Sequence, residues 1–268
     1  MRFSLLLVTP FLLATSFAAP HGENLSVPAL LHNDKKALSP IPSRTIAQRA
    51  FSPNRAGAVL LRAPEGESFT SVTGTFTVPT PARGQGGGTN TKYSAGIWVG
   101  IAANKDQDIV LQAGVTAAIT GSTTSFTAWY AWYPGSPTDF TTTQFSARAG
   151  DSINITVSTI SVTEGMVVIE NITANRKVTQ AVSAPASLAP DELTAQSAAW
   201  MVEGYQLAGE LVPLARFGRV QFTNCAAATS GGKSIGVTGA GLYEVQTISG
   251  QVYTKTTLPS SSSILITY

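Results

Sequence analysis

Two side chains in this sequence have the types needed to hydrolyse an amide: the carboxylate of Glu203 in WMVEGYQL and the carboxamide of Gln112 in IVLQAG. An ionised carboxylate is costly to bury without a partner, so Glu203, set in a short apolar run, implies a polar cleft or a paired donor. A carboxylate can take a proton from water and later pass it to a leaving nitrogen. A neutral amide N–H can hold the oxyanion that forms when water attacks the carbonyl. Gln does not titrate, so such a pair keeps its donor at low pH. The pattern alone does not single out Glu203, because Glu170 in VVIENIT and Glu244 in LYEVQT have the same in-strand setting. A strand Gln also more often faces solvent.

The rest of the composition narrows the chemistry. Both histidines, His21 and His32, lie near the N-terminus, and none follows. That excludes Ser-His-Asp and Cys-His catalysis in their usual forms from the body of the chain. The single cysteine, Cys225, cannot build a Cys-rich zinc site, and no metal or other cofactor is expected. Cys225 reads as a small buried hydrophobe, and the core has to hold without an internal disulfide.

The elements that must position these groups read as strands. Side chains alternate across a strand, and period-2 segments separated by turn residues run from Ala58 onward. They are FTSVTGTFTVP, YSAGIWVGIA, DIVLQAGVTAAI, SFTAWYAWYP, TQFSARAG, DSINITVSTIS, MVVIENITAN, KVTQAVS, AAWMVEGYQL, VQFTNCAAA, GLYEVQTI and SILITY. ARGQGGGTNT reads as a Gly-rich loop and APASLAPDELTAQ as a long connection. So many short strands without a helical layer predict an all-β antiparallel sandwich or jelly roll with two large sheets. Alternation puts Glu203 with Met201 and Tyr205, Gln112 with Val110 and Gly114, and Trp129 with Ala131 and Tyr133. Trp98 is flanked on its own face by Gly96 and Gly100. These are the materials of an aromatic groove holding a few polar groups.

Charged residues are 12% of the 268, about half the usual share, which suits an extracellular β protein. The first 18 residues carry one Arg, an apolar run and small residues, the layout of a secretory signal. Residues 19–49 are rich in Pro, Ser and basic residues and read as a prosegment, leaving 50–268 as one domain. Positions 1–49 hold five basic and two acidic residues; removing them from totals of 17 and 15 leaves 12 and 13. The body is then about −1 and has no charge excess for nucleic acid or membrane surfaces. Asn154-Ile155-Thr156 and Asn171-Ile172-Thr173 are glycosylation sequons, in keeping with a secreted glycoprotein. Asn24-Leu25-Ser26 is a third, within the prosegment.

VLQAG, AWYAWYP and WMVEGY, in this order and at these separations, together with SAGIWVGI, AGDSINITV, VVIENIT and LVPLARFGRVQFTNC, resemble the eqolisins, the glutamic peptidases. The resemblance runs from about Asn54 to the C-terminus. It implies two antiparallel, seven-stranded, lectin-like sheets, a signal, a basic prosegment acting as inhibitor, and acid endopeptidase activity on polypeptides by a secreted monomer. It implies Gln112 and Glu203 as the catalytic pair, with Trp98, Trp129 and Tyr133 binding the peptide. The sequence departs from the family pattern where relatives carry acidic residues: Ala102, Thr116, Thr127, Ala131, Ala199 and Gly204 stand there. Arg55 stands where relatives carry Trp. From these losses a raised Glu203 pKa and a less extreme acid optimum are expected. Two other readings remain: a weak or inactive relative, and a sugar-binding or glycoside-hydrolysing jelly roll pairing Glu203 with Glu170 or Glu244.

Overall fold

The computed structural model describes residues 48–103, 109–186, 193–207 and 210–268. The expected signal and the prosegment as far as residue 47 lie outside the described residues, as do 187–192 of the long connection. The regular elements are strands: β1 (Arg49–Ser52), β2 (Arg55–Leu60), β3 (Phe69–Thr77), β4 (Lys92–Ala102), β5 (Val110–Thr120), β6 (Thr123–Tyr133), β7 (Thr138–Asp139), β8 (Ser152–Thr159), β9 (Glu164–Asn171), β10 (Arg176–Ser183), β11 (Ser197–Glu203), β12 (Gln206–Leu207), β13 (Glu210–Leu211), β14 (Arg219–Thr229), β15 (Ser234–Ile235), β16 (Gly241–Val245), β17 (Lys255–Ser260) and β18 (Ser263–Thr267).

They form two sheets. The first has the order β1-β16-β2-β11-β4-β5-β6-β7; the second runs β10-β9-β8-β3-β14-β18-β17, with β15 on β14. β12 and β13 make a separate two-stranded ribbon. Each sheet has eight strands where seven were expected, and short strands such as β1, β7 and β15 make the difference. The pairing of β1 with β16 is parallel; the other strand pairings described are antiparallel.

Alternation explains the core. Ala198, Trp200 and Val202 of β11, Ile97, Val99 and Ile101 of β4, and Leu111, Ala113 and Val115 of β5 point inward from the first sheet. Ile153, Ile155 and Val157 of β8, Val167 and Ile169 of β9, and Phe222 of β14 meet them from the second. Burying each of the Val, Leu, Ile and Phe side chains among them contributes about 1.5–3 kcal/mol. Cys225 joins this core, and burial pushes its thiol up to about 12.

The segment TQFSARAG is not a strand. Its alternation is produced by one buried residue, Phe145, while local hydrogen bonds fold the backbone into turns. Thr141 O accepts from the amides of Gln144 and Phe145, and the Asp151 carboxylate accepts from Arg148 N–H. Such side-chain-to-backbone bonds compete with ladder formation.

Candidate active site

The first sheet is buried on both faces at its centre. The face turned away from the core carries a second apolar cluster that includes Trp98, Trp129, Ala131, Tyr133, Ala199 and Met201. Register fixes where each side chain stands on it. One row across the strands is Arg55, Glu203, Gly96, Thr116 and Thr127. The next is Gly57, Met201, Trp98, Gly114, Trp129 and Asp139. The third is Val59, Ala199, Gly100, Gln112 and Ala131, and Tyr133 stands one row further with Ala102 and Val110.

Gln112 and Glu203 therefore share one face, and Trp98 occupies the lattice point midway on the diagonal between them. They stand two strands and four residues apart, about 16 Å between backbones at ordinary sheet spacings. They flank the indole and make no hydrogen bond with each other. The glycines make room for the rings. A Cβ at Gly114 would lie 2.7 Å from Trp129 Cζ2 and 2.8 Å from Trp98 Cβ, and one at Gly100 would lie 3.1 Å from Trp98 Cζ3.

Glu203 is 3% exposed, and both its oxygens are held. Asn54 Nδ2 donates to Oε1 at 2.9 Å, and Trp98 Nε1 donates to Oε2 at 3.0 Å. Asn54 is fixed in turn. Its Oδ1 accepts from Ser52 Oγ at 3.1 Å, and its carbonyl accepts from Gly204 N–H at 2.8 Å. Arg55 stands opposite Glu203 in register, with its guanidinium 4.9 Å from the centre of the Tyr243 ring. Burial pushes the Glu203 carboxyl up to about 8, against the opposing charge of Arg55 and the Trp98 hydrogen bond. The expected rise is thus present, but its cause is different. Loss of neighbouring carboxylates removes like-charge repulsion and by itself lowers a carboxyl pKa; desolvation supplies the rise.

Gln112 is 1% exposed, and among the described residues neither its amide nitrogen nor its oxygen has a hydrogen-bond partner. Buried polar side chains are nearly always satisfied, and this carboxamide has its N–H and oxygen unspent on the described residues. A narrow cleft opens beside Glu203, lined by Trp98, Thr116, Trp129, Pro137, Asp139 and Tyr205. Trp129 Nε1 donates to Thr116 Oγ1 at 2.9 Å, which sets the plane of one wall. Of the expected site residues, Glu203, Trp98 and Trp129 line this cleft; Gln112 and Tyr133 stand beyond the Trp98 row, on the same face.

Asn54 and Asp139 are additions that sequence reasoning missed. Asn54 lies in a turn 149 residues from its partner, and no local pattern announces it. Asp139, on the short strand β7, faces the cleft; burial raises its pKa and Lys92 opposes the rise. Neither carboxylate of the glycosidase reading reaches Glu203. Glu170 is on the outer face of the second sheet, and Glu244 points to the opposite face of the first, bound by Arg49. Among the described residues no three His, Cys, Asp or Glu side chains gather as metal ligands would.

Comparison with known proteins agrees with this architecture. The model of the Peptidase A4 family matches residues 53–268. Aspergillopepsin-2 of Aspergillus niger is 32% identical, aligned over 100% of both chains. Scytalidopepsin B of Scytalidium lignicola is 30% identical, over 86% of this chain and 85% of its own. The crystal structure of scytalido-glutamic peptidase with a transition state analog inhibitor superposes with a TM-score of 0.68 at 28% identity, covering 82% of this chain and 100% of that one. That of aspergilloglutamic peptidase from Aspergillus niger gives 0.59 at 36% identity, over 66% and 99%. The chain belongs to the Peptidase A4 family, the eqolisins or glutamic peptidases.

Proposed function

We propose that the chain is a secreted endopeptidase active in acid, with Glu203 as general base and Gln112 as oxyanion donor. The observation that carries this reading is the placing of a doubly held carboxylate and an unpartnered carboxamide on either side of one indole, on one face of one sheet. A peptide laid over Trp98, with Trp129 and Tyr133 offering aromatic area, brings its scissile carbonyl between them. Glu203 takes a proton from water as the water oxygen bonds to the carbonyl carbon. The oxyanion accepts from Gln112 Nε2–H. Protonated Glu203 then gives its proton to the leaving nitrogen as the C–N bond breaks, releasing a carboxyl and an amine.

The base works only when ionised. At a pKa of about 8 it is neutral in acid, so acid activity requires that the cleft become wetter than it is here. We infer that the basic prosegment, with Lys35, Lys36 and Arg44, covers the cleft at neutral pH and leaves it on acidification; Arg49, expected to take part, is instead held in β1 by Glu244, away from the cleft. Its departure reduces the desolvation and lowers the Glu203 pKa. The test is hydrolysis of an unfolded protein by the secreted chain between pH 2 and 8, before and after acid treatment. Cleavage that appears after acid treatment and is absent in Glu203→Gln is expected. Equal cleavage by Glu203→Gln, or none by the wild type at any pH, overturns the reading.

A further inference from the structure

The two sequons of the body are not equivalent in the fold. Asn171, at the end of β9, is fully buried. Its Nδ2 spends both protons, one on Asp151 Oδ2 at 2.7 Å and one on Ser146 O at 3.1 Å. Its Oδ1 accepts from Ala174 N–H at 2.9 Å, and the sequon hydroxyl of Thr173 accepts from Ser152 N–H at 2.8 Å. Every polar atom of that side chain is spent on the turns at the end of the second sheet. A sugar on Nδ2 removes one donor from a buried acceptor and has no volume to occupy.

Asn154 is the reverse case. It stands on the outer face of β8, where Ser152, Thr156 and Ser158 beside it, and Thr73 and Thr75 of β3, are all partly exposed. Only its oxygen is engaged, accepting from Thr75 Oγ1 at 3.0 Å and from Thr73 Oγ1 at 3.4 Å. An N-linked sugar keeps that oxygen as an acceptor, so both threonine contacts survive the modification. This face is turned away from the cleft, which lies on the other sheet, so a glycan here leaves substrate access open.

We propose that Asn154 is an N-glycosylation site of the folded protein and that Asn171, despite its sequon, is a structural side chain that stays unmodified. The donor is a polyisoprenyl-pyrophosphate oligosaccharide: Asn154 Nδ2 bonds to the sugar C1, the C1–O bond to pyrophosphate breaks, and Nδ2 gives up one proton. The inference requires entry into the secretory route and does not depend on the proteolytic chemistry.

The full chain, led by an added secretion signal so that the result does not depend on residues 1–18, is made in a glycosylating eukaryotic host. The soluble product is trimmed with an endoglycosidase that leaves one N-acetylhexosamine, and its peptides are mass-analysed. A sugar tag on the peptide holding Asn154, none on that holding Asn171, and complete loss of the first tag in Asn154→Gln are expected. An untagged Asn154 in secreted protein, or a tagged Asn171 in soluble protein, overturns the proposal. Should Asn154→Gln fail to be secreted, Thr156→Ala removes the sequon while keeping Asn154, and it too must lose the tag.

Discussion

Arg55 is the residue that most changes the electrostatics of the site. It sits directly across β2 and β11 from Glu203, and its positive charge favours the ionised carboxylate. Ala102, Thr116, Thr127, Ala131 and Gly204 add no charge to this face, which leaves Glu203 beside Arg55 with Asp139 further along the cleft. Removing the Arg55 charge raises the Glu203 pKa further. Arg55→Met is therefore expected to move the acid limb of the activity–pH profile to higher pH, because the base must lose its proton to work. An unchanged or acid-shifted limb would show that Arg55 acts elsewhere. Asn54 belongs to the same scale. Its hydrogen bond to Glu203 comes from a turn that sequence reasoning used only as a boundary, since a turn Asn has many local uses and its distant partner is set by topology.

At the scale of elements, β4 and β5 make the floor of the site and owe its shape to glycine. Gly114 lies where a Cβ would meet Ile97 O at 2.6 Å as well as the Trp129 indole and Trp98 Cβ. Gly114→Ala must displace backbone or ring. Overpacking of this kind typically costs about 1–3 kcal/mol, and with the aromatic walls moved KM is expected to rise more than kcat falls. Steady-state kinetics with a fluorogenic peptide, alongside thermal melts, checks both; unchanged KM would mean that Trp98 and Trp129 do not hold substrate. The outer strands of the second sheet were legible because one face is dry, and alternation in DSINITVSTIS reports that directly; YSAGIWVGIA, buried on both faces, was legible as a continuous apolar run bounded by turn residues. TQFSARAG misled because one buried Phe145 imitates a period of two. β1 and β17 were missed because short edge strands carry little apolar alternation, and β2 was missed because RAGAVL is short and buried at every position, with no period of two to show. The order β2-β11-β4-β5 is not readable from any local pattern. Without it, the pairing of Glu203 with Gln112 rested on the family resemblance alone.

For the whole molecule, Glu203 links folding to pH. Its carboxyl titrates at about 4.3 in an unfolded chain and at about 8 in the folded one. Between those values the unfolded chain is ionised while the folded chain holds the proton, so stability falls as pH rises. The contribution is complete below about pH 4 and lost once pH passes about 8. Asp139, raised in the same direction by burial, adds to the slope. Before acid treatment, melting temperature is expected to decline from pH 4 to pH 8 and to decline less in Glu203→Gln. Parallel curves for the two proteins would show that the carboxyl is not held neutral in the fold.

The most direct measurement is kcat for Gln112→Ala relative to the acid-processed wild type, on one peptide at the pH optimum. Removing an oxyanion donor typically costs about 10²–10³-fold in kcat, so a fall of that size with little change in KM is the expected result. Wild-type turnover without the Gln112 carboxamide would contradict the pairing of Gln112 with Glu203.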